Sequence, residues 1–121
     1  MRLLALQFLV AWPALPRAAR YVIEHWQEWD GEAFEIYGPA AERLSGEHPL
    51  AATLLLRAMV AFALSMGRAT RYRYAVQHLR SCEQLAAAID DWQGIDGHEG
   101  FLARLREAYG TKWSFWLLLE E

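Results

Sequence analysis

The sequence predicts an all-α protein: antiparallel helical hairpins, about seven helices in all, stacked as a divergent tetratricopeptide-like repeat. Three observations predict it. Residues 48–92 read as two long helices with a tight break at Met66-Gly67. The first of these is apolar almost all round, as a helix buried on most sides must be, whereas the second is amphipathic with a basic start. No segment alternates with the period of two that a half-buried strand needs, and prolines and glycines fall between segments of helical period.

The elements follow in order. Residues 3–12 form an apolar run closed by Pro13. The run imitates a secretory signal, but Gln7 interrupts it and Arg17 and Arg20 sit where cleavage would fall, so a packed helix is the better reading. Residues 16–29 begin with a proline suited to a first turn and place Tyr21, Val22, His25, Trp26 and Trp29 at spacings of three and four. Asp30 is the expected N-cap of a helix reaching Leu44, with a kink near Gly38-Pro39 because Pro39 has no N–H to donate to Glu35. The fourth helix starts at His48 or Pro49. The fifth is expected from Ala69 to Trp92, with Tyr72, Val76, Leu79, Cys82, Ala86 and Ile89 as its core stripe and alanines at 75 and 86–88 for close approach. Asp96 and Glu99 have the spacing of a capping box for a sixth helix up to Gly110. A short seventh helix from Thr111 is too apolar to stand alone and is expected to dock on the sixth or on a partner.

With 121 residues, 55% of them hydrophobic and six of them tryptophan, the chain can furnish one core, so residues 1–121 are read as a single helical-repeat domain. Short loops pair helices two with three, four with five and six with seven. The first helix is left over, so either it caps the array or the chain is expected to be a segment of a longer one. A net charge of −3 provides no general attraction to nucleic acid or to an acidic membrane. Arg57 in the middle of the most apolar helix argues for a buried core helix and against a membrane span. The single cysteine, Cys82, lies within a helical pattern and reads as a small buried hydrophobe in a reducing cytoplasm.

The segments HPLAATLLLRAM, RYRYAVQHLRSCEQLAAAIDDW and FLARLREAYGTKWSFW, with AWPALPRAARYV and WDGEAFEIYGPAAERL upstream, resemble an uncharacterised bacterial family. Members of that family carry an all-helical, tetratricopeptide-like C-terminal region, related to regions found behind SWIM-type zinc fingers. The resemblance covers most of the chain and rests on packing motifs. It implies a helical fold, a cytoplasmic setting and a shortened form of a longer protein, and it carries over no active site. One cysteine cannot supply the zinc ligands of a SWIM finger.

The candidate site is the basic and aromatic start of the fifth helix: Arg68, Arg71, Tyr72, Arg73, Tyr74, His78 and Arg80. Cations at a helix N-terminus oppose its dipole, so their concentration there points to an anionic partner such as a carboxylate, a phosphate or an acidic peptide. Arg71, Tyr74 and His78 share a helical face, and Arg57 is expected to meet them from the fourth helix. The competing reading pairs these arginines with Glu42, Glu47 or Glu83 on a solvated surface. His25, His48, His78 and His98 lack metal-site spacing, and no cofactor is expected. Asp90-Asp91 reads as a helix end compensated by Arg104 or Arg106, and the tryptophans read as core. Serines 45, 65, 81 and 114 lie in no nucleophile elbow or phosphate loop.

The expected function is therefore non-enzymatic binding of a protein or peptide in a groove lined by Arg57, Arg71, Tyr74 and His78. One alternative is a structural domain that forms a homodimer through its apolar terminal helices. Another is binding of an anionic ligand or, less in keeping with the charge, nucleic acid through the Arg68 to Arg80 cluster.

Overall fold

The computed structural model describes residues 15–29 and 34–121. Among them six helices occur and no strand: α1 (Leu15–Glu24), α2 (Phe34–Leu44), α3 (Pro49–Met66), α4 (Ala69–Ala86), α5 (His98–Tyr109) and α6 (Trp113–Glu120). The expected helix over residues 3–12 and the Asp30 cap lie outside the described residues.

Helix α3 is the axis of the assembly. Pro49 opens it where a missing N–H costs nothing. Gly67 closes it in the left-handed conformation, φ 67°, donating its N–H to the carbonyls of Ala63 and Leu64 at 3.2 Å each. The turn sends α4 back along α3, and these two make the most extensive helix pair. By length and apolarity α3 could span a membrane, yet most of it is buried among the other helices, as the core helix of a packed bundle is.

Two buried clusters meet along α3. Its N-terminal part packs with α1 and α2, where the fully buried pairs Ala18-Ala19, Ala40-Ala41 and Ala51-Ala52 let backbones approach closely around Val22, Tyr37, Leu44 and Leu55. Its C-terminal part, Val60 and Leu64, packs with Tyr72, Val76 and Leu79 of α4, Phe101 and Leu105 of α5, and Phe115 and Trp116 of α6. The expected pairwise hairpins give way to this arrangement at both ends of the chain. α1 and α2 touch each other little and both lie on α3, while α6 docks chiefly on α4 instead of α5. An edge-to-face contact of Tyr72 with Phe115, centroids 6.0 Å apart, joins α6 to α4. Trp116 joins it to α5, with Nε1 donating to the Tyr109 carbonyl at 2.9 Å and Arg106 lying 4.2 Å over the ring.

Pro39, where a kink is expected, lies within the single helix α2. Several other local expectations are revised. α4 stops at Ala86, six residues before Trp92, and Ala87 and Ala88 are exposed beyond its end. Ile89 still reaches the core, but from the loop, which turns at Gln93 and Gly94 with φ of 52° and 80°. α1 ends at Glu24, and buried Trp29 is fixed from the following turn by donating Nε1 to the Val22 carbonyl at 3.1 Å. The capping box does not form. Gly97 is the N-cap of α5 with no side-chain bond, because the Asp96 carboxylate pairs with Arg104 Nε at 2.7 Å. Asp91 in turn accepts from the Gln93 N–H at 2.9 Å, so Arg104 and Arg106 are both engaged elsewhere than at Asp90-Asp91.

Two stability measurements follow. Leu64→Ala removes a fully buried side chain where α3, α4 and α6 meet and is expected to cost about 2–5 kcal/mol in urea unfolding. Gly67→Ala is expected to cost about 1 kcal/mol by the same assay, since a Cβ would occupy a left-handed residue and approach Lys112 Nζ to 3.2 Å.

Candidate functional site

A groove of about 660 Å³ runs between α3 and α4 and is bounded on one side by Gly38 of α2. α3 contributes Met59, Phe62, Ala63 and Met66, and α4 with its N-cap contributes Arg68, Arg71, Tyr74, Ala75 and His78. The intervals of three, four and seven on each helix place these residues on a single face. The apolar floor thus comes from α3. The polar wall comes from α4, with the two arginines at the hairpin end and His78 two turns further in.

Three of the four residues read from the sequence, Arg71, Tyr74 and His78, line this groove together. Arg57 does not. It stands two residues before Met59, which turns it roughly 160° around α3 from the floor. There it is 5% exposed and donates Nη1 to the Asp96 carbonyl at 2.8 Å. Its guanidinium carbon lies 5.1 Å from the Trp92 ring centroid and 4.7 Å from that of Phe101. Nε and Nη2 have no hydrogen-bond partner among the described residues, and the two rings supply further contact with the cation. Burial lowers the Arg57 pKa from its ordinary value; Arg104 adds to the depression, and the Asp96 carboxylate opposes it. Cys82 lies close by, fully buried, with its thiol pushed up to about 12 by desolvation. It is therefore neutral at pH 7 and lends Arg57 no charge there. Arg57 fastens the 87–97 loop to the core and does not line the groove.

The rest of the basic cluster divides by helical angle. Tyr72 points into the core. Arg73, two residues from Arg71, is exposed away from the groove. Arg80 reaches the C-terminal end of α6, donating Nη2 to the Leu118 and Leu119 carbonyls at 3.3 and 3.4 Å, where a cation meets the negative end of the helix dipole. The floor residues Met59, Phe62, Ala63 and Met66 escaped the sequence reading. A helix apolar on every side carries no polar stripe to mark which of its faces is left uncovered.

The electrostatics of the groove is graded. Burial holds the His78 pKa below its usual 6.5, so the imidazole is neutral at pH 7 and works as a hydrogen-bonding group. Arg68 is exposed and Arg71 half-buried, both carrying fixed charge beside the N-terminus of α4, which has no acidic residue in its first turn. Both cations stand at this end of the groove, and Lys112 approaches the same turn at Gly67.

Two outcomes are expected. Arg57→Ala strips the Asp96 carbonyl of its donor and empties the space between two rings, costing about 2–4 kcal/mol, whereas Arg57→Met keeps the volume without the desolvated charge and costs under about 1.5 kcal/mol; urea unfolding of both variants checks the difference. The second concerns pH. Burial depresses both His78 and His98, the latter helped by Arg57 and opposed by Glu83 and Glu99. A depressed base favours the neutral form in the folded state, so the stability it confers is whole above pH 6.5 and declines as pH falls through the unfolded value toward the folded one. Unfolding free energy is expected to drop between pH 7.5 and 5.5, with a shallower slope in the His78→Gln, His98→Gln double variant.

No match to the chain is found among curated proteins or among solved structures. A family of unknown function, DUF6880, matches residues 3–118 and so takes in the hairpin, the groove and the Arg57 anchor together. The chain belongs to that family.

Proposed function

We propose that this chain is a non-catalytic module that binds a protein or peptide segment in the groove between α3 and α4. The observation that carries the reading is the composition of the groove: an apolar floor of Met59, Phe62, Ala63 and Met66 beside a wall that sets Arg68 and Arg71 at one end. Such a surface complements a short segment with apolar side chains on one face and carboxylates toward one end. The described residues that line the wall offer two cations, a phenol and a neutral imidazole, a set that suits binding better than an acid–base or covalent mechanism.

We further infer that α3 and α4 are the hairpin of a divergent tetratricopeptide-like unit, whose inter-helix grooves are the usual place for such segments. The likeness to regions behind SWIM-type zinc fingers supports a role as the interaction part of larger bacterial proteins. A buried, un-ionised Cys82 fits the reducing cytoplasm.

Fluorescence anisotropy with labelled helical peptides tests the reading. A peptide bearing apolar residues at intervals of three and four with acids at one end is expected to bind, its lysine counterpart to bind at least about 10-fold more weakly, and Arg68→Gln to weaken the acidic peptide by about 3–10-fold. Ala63→Arg fills the floor and is expected to abolish binding. Equal affinity of the acidic peptide for wild type and for Ala63→Arg would place the interaction elsewhere. A single-stranded oligonucleotide bound more tightly than any peptide, with steep loss on added salt, would favour the nucleic-acid reading in its place.

A further inference from the structure

The exposed large hydrophobic side chains among the described residues fall into two patches. Met66 (48% exposed) and Tyr74 (53%) stand at the groove, and Trp113 (74%) and Leu117 (62%) stand on α6. Phe115 and Trp116 turn α6 toward its own core, while Trp113 and Leu117, four residues apart, share the opposite face. Glu120 and Glu121 continue this helix with exposed acids. Its outer face therefore reads apolar, apolar, acidic over two turns.

The groove has the complementary order. From Met59 to Met66 its floor is apolar for about two turns of α3, and it then meets Arg68 and Arg71. We propose that the occupant of the groove is the α6 face of a second copy of this chain, with Trp113 and Leu117 on the floor and Glu120 and Glu121 beside Arg68 and Arg71. The inference rests on the reading of the groove as a protein-binding surface and names its partner. Within one molecule the two patches are neighbours, because Lys112, the N-cap of α6, reaches Gly67 at the hairpin end of the groove. Two copies related by a two-fold axis can thus exchange α6 faces reciprocally, each groove receiving the partner's helix. One eight-residue helix seated once falls short of the roughly 1,200 Å² at which specific interfaces become stable, and the reciprocal arrangement doubles the contact.

Light scattering on a sizing column, with the full chain loaded from about 10 µM to about 1 mM, the range of a modest interface, reads the outcome. Wild type is expected to move from one chain toward two. Trp113→Glu with Leu117→Glu disables the face, and Met66→Glu with Arg68→Glu disables the groove; all four positions are exposed, and circular dichroism confirms that each variant remains folded. Each double variant is expected to weaken self-association by at least about 100-fold, as loss of a central apolar anchor does. An equimolar mixture of the two keeps only one of the two seated helices and is expected to associate far more weakly than wild type. As a milder second pair, Glu120→Arg with Glu121→Arg is expected to weaken the dimer and to regain affinity against Arg68→Glu.

A dimer lost in the α6 variant but kept in the groove variant would mean that copies meet α6 to α6 and would overturn the proposal. A wild type that stays monomeric throughout the range would overturn it as well. In that event, binding of the acidic peptide to the same monomer would leave the groove reading standing, and failure of that peptide would remove both.

Discussion

An 18-residue helix with apolar side chains on nearly every side can persist in water only if other elements surround it. That constraint on α3 organises the molecule. α1 and α2 cover its first half, α4 runs back along it, and α5 and α6 close over the second half through α4. The alanine pairs at 18-19, 40-41 and 51-52 follow from the same demand, because several helices can approach one axis only where side chains are small. Pairwise stacking of hairpins would leave part of α3 wet, and this is why α1 and α2 lie on α3 in preference to each other.

The one charged residue in that helix shows how the packing is fixed. Arg57 is buried too deeply for a surface ion pair and meets a backbone carbonyl and two aromatic rings in place of a carboxylate. All three partners lie on the loop after α4 or on α5, so the cation orders a connection that has no helical hydrogen bonds of its own. The Asp96–Arg104 pair holds the same loop from its outer side. A buried charge of this kind is costly to leave unpartnered, which makes it a strong determinant of where the loop lies even though its net contribution to stability is modest.

Among the described residues the covering of α3 is incomplete at its C-terminal end, and there the groove opens. The floor is core-like because α3 is core-like. The wall is polar because α4 is amphipathic and turns Arg71, Tyr74 and His78 to the open side. The chemistry of this surface is a by-product of the fold's own asymmetry: one helix supplies apolar surface, its neighbour supplies cations, and among the described residues no further element covers their junction. The same reasoning applies to α6, whose eight residues are too apolar for Phe115 and Trp116 alone to hide.

Much of this was legible in the chain. Helical period, proline at first turns, and Gly67 as a break are local signals, and they determine that the protein is all-α and that α3 and α4 form a hairpin. Spacing likewise identified Arg71, Tyr74 and His78 as one face, because three- and four-residue intervals fix angle around a helix whatever surrounds it. Only the tertiary structure decided the rest. It sent Arg57 to the far side of α3, ended α4 at Ala86, gave Asp96 to Arg104 instead of the α5 cap, and seated α6 on α4 with Trp113 outward. The physical reason is common to all four. Sequence spacing sets direction around a single helix, whereas the face that is finally covered depends on which neighbour buries more apolar surface or satisfies a buried polar group, and that is settled between elements far apart in the chain.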